Sequence, residues 1–117
     1  MKETLENLIE ELYLSIKVDD LKKIVESVSF KDRTLQLAEE CNELSQAILK
    51  YHRFLKGTNP TNKSLEEVYS DLAEEIADVC LCLDTVLLGE EKLTNKVDKW
   101  YDSKLDRWVR RLNGIQR

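Results

Sequence analysis

The chain has 117 residues, 35% of them charged, and a net charge of −5, enough length for one domain with a modest core. That acidic balance argues against a nucleic-acid platform, with the basic C-terminal third as the one stretch that would suit such a role, and no apolar run approaches the ~20 residues of a membrane span. Only 3 Gly and 1 Pro stand among many Leu, Glu, Lys and Ile, a composition that suits long helices with few turns.

Met1-Lys2-Glu3 opens an acidic pattern without the apolar core of a signal peptide, so a cytoplasmic location is expected. Leu5, Leu8, Ile9, Leu12 and Ile16 recur at helical spacing and predict an amphipathic helix over residues 3–17. Asp19-Asp20 interrupts the pattern before Leu21, Ile24, Val25 and Val28, which fits either one kinked helix or two. Ser29 with Asp32 resembles a capping box. The second helix then runs from Phe30 to Lys56 on a seam of Leu37, Cys41, Leu44, Ile48, Tyr51 and Leu55. Gly57 supplies its stop and Thr58-Asn59-Pro60 a turn. Ser64 with Glu67 is a second capping box, opening a third helix that carries Leu65, Val68, Leu72, Ile76, Val79, Leu83 and Val86 and stops near Gly89. A fourth follows with little or no loop, striped by Leu93, Val97, Trp100, Tyr101, Leu105, Trp108 and Leu112, and ends at Asn113-Gly114.

No segment alternates with a period of two, so no sheet is expected. The expected fold is all-α, a four-helix bundle in a single domain over 1–117. It comprises an N-terminal helix region (1–28), an antiparallel central helix hairpin (29–89) and a basic C-terminal helix (90–113). The aliphatic stripes are read as core. Cys41, Cys80 and Cys82 are read as small buried hydrophobes in a reducing compartment. His52 is the only histidine and cannot build a His-rich zinc site.

One phrase occurs twice. Leu37-Ala38-Glu39-Glu40 is followed after two residues by Glu43-Leu44, and Leu72-Ala73-Glu74-Glu75 after two residues by Asp78-Val79. In each copy two carboxylates stand three apart, on one helix face. At about 100° per residue, Glu43 lies about 60° to one side of Glu40 and the apolar seam about 60° to the other. Asp78, Glu75 and the third helix's seam repeat that arrangement, while Glu39 and Glu74 fall further towards solvent. Glu40 and Asp78 are equidistant from Asn59, as are Glu43 and Glu75, so a hairpin closing at Asn59 faces the two pairs. A single acidic run of this kind is ordinarily a solvated helix face; two copies matched in angle and register argue for one site. Four acids brought together repel and lose hydration, and a divalent cation relieves both. An all-oxygen ligand set suits Mg²⁺ or Mn²⁺ and not a di-iron centre built on Glu-x-x-His.

The pattern E-E-x-x-E, a gap, then E-x-x-D on consecutive helices resembles the MazG-type all-α nucleoside triphosphate pyrophosphohydrolases, over roughly Phe30 to Leu112. The resemblance implies a MazG-like fold and a Mg²⁺-dependent hydrolase that cleaves a nucleoside or deoxynucleoside triphosphate to monophosphate and pyrophosphate, in house-cleaning or nucleotide-pool control. Carried over by position, it makes Glu40, Glu43, Glu75 and Asp78 the metal ligands. Glu39 or a ligating glutamate such as Glu40 would take the proton of the attacking water. It also implies a dimer or tetramer, which agrees with the apolar surface that one hairpin and two flanking helices leave uncovered.

Lys50 continues the acidic stripe and is a candidate phosphate contact. The last helix carries Lys92, Lys96, Lys99, Lys104, Arg107, Arg110 and Arg111, with Arg117 beyond it, against Asp98, Asp102 and Asp106. Lys104 and Arg107 resemble the Lys/Arg stretch that many family members carry after the second acidic motif, although Asp102 stands where several have Asn. The same basic face also reads as ordinary solvated surface. Tyr51, Phe54, Trp100 and Trp108 are candidates for base stacking that also suit core or interface. The competing reading from another class is a non-catalytic helical module for oligomerisation or partner binding.

Overall fold

The computed structural model describes residues 2–58 and 61–114, so Asn59 and Pro60 of the expected turn lie outside the described residues. It is all-helical, with four α-helices and no strand among the described residues. These are α1 (Lys2–Ser27), α2 (Phe30–Lys56), α3 (Leu65–Leu87) and α4 (Glu91–Leu112). No described helix is long and apolar enough to cross a membrane. The chain divides into two compact units, Met1–Val86 and Leu87–Arg117.

In the first unit, α1 is one helix that runs through Asp19-Asp20 without a break. Two adjacent aspartates cost a helix only a few tenths of a kcal/mol each relative to good formers, roughly, and exposed side chains stay hydrated. The boundaries of α2 come from local chemistry. The backbone N–H of Asp32 donates to Ser29 Oγ at 3.1 Å, which satisfies one of the first-turn donors. At the other end Gly57 adopts a left-handed φ of 70° and its N–H donates to the carbonyls of Arg53 and Phe54, a conformation that a Cβ disfavours. The start of α3 is a reciprocal capping box: Glu67 N–H donates to Ser64 Oγ at 3.1 Å, and Ser64 N–H donates to Glu67 Oε1 at 3.3 Å.

Contacts between α2 and α3 occur at both of their ends. Arg33, near the start of α2 and only 6% exposed, donates from Nε to the Val28 carbonyl at 2.9 Å and from a terminal guanidinium nitrogen to the Thr85 carbonyl near the end of α3. One side chain thus ties the α1–α2 turn to α3. At the opposite end the Tyr51 ring packs against Tyr69, centroids 6.2 Å apart.

The apolar stripes are much less covered than a core requires. Among the described residues only Val68 and Val86 are buried hydrophobics, and no large side chain is fully buried. Leu5, Leu8, Ile9 and Leu12 of α1 are all more than half exposed, and Ile48, Leu55, Leu65, Ile76 and Leu83 of the two seams are exposed as well. Cys41 and Cys80 are exposed and Cys82 half-buried, all as free thiols, which corrects their expected burial. The physical reason is count: each seam meets too few neighbouring helices within its own chain to lose its water.

In the second unit, Thr94 Oγ1 and the Glu90 N–H both donate to the Leu87 carbonyl. They satisfy a helix-end acceptor of α3 where the chain turns into α4. Trp100, Tyr101, Trp108 and Leu112 of α4 are exposed.

Candidate metal centre

The acidic residues stand on helical faces set by the seams of α2 and α3. Glu40 and Glu43 lie one turn apart on α2, and Glu75 comes from α3. One carboxylate oxygen from each of the three lies within 4.8 Å of the other two. Glu40 and Glu75 are half-buried, Glu43 is exposed. Glu40 Oε1 accepts a hydrogen bond from Gln36 Nε2 at 2.9 Å, one helical turn earlier.

Two atoms in this cluster have no protein partner. Glu40 Oε2 and Glu75 Oε2 are shut off from solvent and accept no hydrogen bond among the described residues. A buried carboxylate oxygen without donor or cation is costly. Both oxygens are on residues of the converging trio, and the donor set, all hard oxygen, fits a hard divalent cation.

The electrostatics report the same crowding. The carboxyl of Glu43 is raised above its ordinary value, first by the charge of Glu40, then by that of Glu75. Glu75 is raised first by burial, then by the charges of Asp78, Glu40 and Glu74. The Cys82 thiol is also pushed up, by burial and then by Glu40 and Asp78, which places it beside the cluster.

Asp78 is half-buried on α3 and near enough for its charge to act on Glu43 and Glu75, but it is not one of the three converging carboxylates. Glu39 is exposed. Glu74 lines a cleft of about 640 Å³ that opens from Glu43 and Glu75, and Lys50 lines it too. Lys104 and Arg107 lie in the second unit on α4, where Lys104 Nζ sits 5.8 Å from the Trp100 ring centroid and Arg107 is half-buried.

Several residues that the sequence does not single out belong to this region. Gln36 orients Glu40, a role that its placement four residues earlier made readable. Lys63 and Asp71 line the cleft and form an ion pair. Lys63 lies just outside a helix, where no periodicity marks it. Asp71 carries no repeat partner on α2.

Comparison of the chain with protein-family models, with curated proteins and with solved structures finds no match in any of the three.

Proposed function

We propose that this chain is a Mg²⁺-dependent nucleoside triphosphate pyrophosphohydrolase of the MazG-like all-α type, with Mn²⁺ as a substitute ion. The observation that carries the reading is the convergence of Glu40, Glu43 and Glu75 with two of their oxygens unpartnered. A purely structural acidic face would turn those oxygens to water. In this reading Glu40, Glu43 and Glu75 would hold the ion, with Asp78 as the fourth ligand that the resemblance implies. Bound Mg²⁺ supplies charge neutralisation of the phosphates and acidification of the attacking water.

The chain's own residues do the rest. Gln36 fixes the Glu40 carboxylate. Proton acceptance from the attacking water falls to a carboxylate of this cluster, Glu40 or its neighbour Glu39. Lys50, on the cleft wall, faces the phosphate chain as a point charge. The resemblance implies Lys104 and Arg107 as phosphate contacts; both lie on α4 in the second unit. The reading takes α2 and α3 as an antiparallel hairpin, which the Arg33–Thr85 and Tyr51–Tyr69 contacts support. It places the protein in the cytoplasm and assembles it as a dimer or tetramer, for which the exposed apolar seams are the support.

Incubation of the purified chain with Mg²⁺ and a panel of ribo- and deoxynucleoside triphosphates tests the reading. A nucleoside monophosphate and pyrophosphate are expected; release of inorganic phosphate in steps, or no product from a folded sample, overturns it. The extent of exposed apolar surface also supports a second reading, a helical oligomerisation module without turnover. Calorimetry without any Mg²⁺ or Mn²⁺ signal would favour that one.

A further inference from the structure

The cleft beside the carboxylate trio changes character along its length. On α2 its lining runs from Glu43 past Lys50 to Phe54, roughly 16 Å at the rise of an α-helix. On α3 it runs from Glu75 back through Asp71 to Val68. Carboxylates dominate one end. Beyond them lie the half-buried Phe54, the buried Val68, and Lys63, which donates to Asp71. A volume of about 640 Å³ is in the range of small-molecule sites.

We propose that Phe54, Val68 and the Lys63–Asp71 pair form a nucleobase subsite continuous with the carboxylate trio. The inference rests on the reading that the trio takes the phosphate end of a nucleotide. A nucleobase is flat and aromatic, with donors and acceptors side by side on its edge. The Phe54 ring offers a stacking face that every base can use, and Val68 an apolar floor. Lys63 is a three-donor group and Asp71 an acceptor with several lone pairs, so a single contact between them leaves both able to read a base edge. Both side chains are about half exposed, a setting in which an ion pair contributes little to stability. Asp71 keeps the Lys63 ammonium above its ordinary range, hence charged. The order along the cleft, acids and then Lys50 and then Phe54, matches a ligand with a polyanionic end and a flat end.

The test is equilibrium binding of the full chain in Mg²⁺ to α,β-imido analogues of nucleoside triphosphates, beside tripolyphosphate, which has no base. At least one nucleotide is expected to bind about tenfold tighter than tripolyphosphate. Phe54→Leu, which keeps the apolar volume, and Phe54→Ala both remove that advantage while tripolyphosphate affinity stays within about twofold. Asp71→Asn, which turns part of the acceptor edge into a donor, changes the ranking of the bases. If nucleotides bind no tighter than tripolyphosphate, or if Phe54→Leu and Asp71→Asn leave base preference intact, the subsite is overturned and the metal centre stands. If neither ligand binds in Mg²⁺, both readings fall.

Discussion

Glu43 stands between two other carboxylates, and ionising all of them without a counter-charge works against the folded state. At acid pH the folded and unfolded chains both hold these protons. As pH rises past 4.5, the ordinary carboxylate value, the unfolded chain loses its protons first, while Glu43 and Glu75 keep theirs up to their raised values. The folded state then binds more protons than the unfolded one, so stability falls across that window. In chelator, the melting temperature of the unaltered chain is therefore expected to fall as pH rises above 4.5 relative to a Glu43→Gln/Glu75→Gln variant, and Mg²⁺ is expected to reverse the difference. A pH-independent difference between the two proteins would show that the cluster is not strained. Under the proposed function, Glu43→Gln also lowers turnover by at least about 100-fold, since even the hydrogen-bond partners of ligands are worth 10–100-fold. Gln36→Ala, which frees Glu40 without removing it, is expected to cost about tenfold; steady-state kinetics on the preferred nucleotide measures both.

The helices begin and end where short-range chemistry tells them to, and those signals were legible in the sequence. Ser64 and Glu67 satisfy each other's backbone donors, and Ser64→Ala is expected to lower stability by about 1 kcal/mol in denaturant unfolding. Gly57 occupies left-handed space, and Gly57→Ala is expected to cost about 1–2 kcal/mol in the same measurement. Arg33 was not legible in this way. It sits in a polar stretch that reads as a solvated first turn, and its value comes from the Thr85 carbonyl, distant in sequence. Arg33→Met keeps the stem but strands two carbonyls, and a loss of about 2–4 kcal/mol is expected, well above the effect of either cap.

Seen as a whole molecule, the chain exposes apolar side chains along all four helices, and little of its surface is lost to its own packing. Among the described residues only Val68 and Val86 are buried hydrophobics, short of the core that ordinarily offsets the entropy of a chain this long. Burial against further copies supplies it in the proposed assembly. Sedimentation is expected to give a dimer or tetramer at micromolar concentration, with a melting temperature that rises with protein concentration. A stable monomer whose melting temperature ignores concentration would remove the oligomer from the reading.

The division between sequence and tertiary structure follows the range of the forces involved. The caps of α2, the capping box of α3 and the shared face of each acidic pair are set within a few residues, by hydrogen bonds and the helical period, and the sequence by itself determined them. It left α1 open as one helix or two, because a pair of aspartates is a weak breaker. Which carboxylates converge, and which oxygens lose their water, depends on how α2 and α3 meet. The helical period already set Glu40 beside Glu43; the tertiary structure decided that Glu75 joins them and that Asp78 does not. It alone set Lys63 and Asp71 on the cleft wall and left the apolar seams uncovered. Periodicity records which face a side chain occupies; what that face meets is decided by packing between elements.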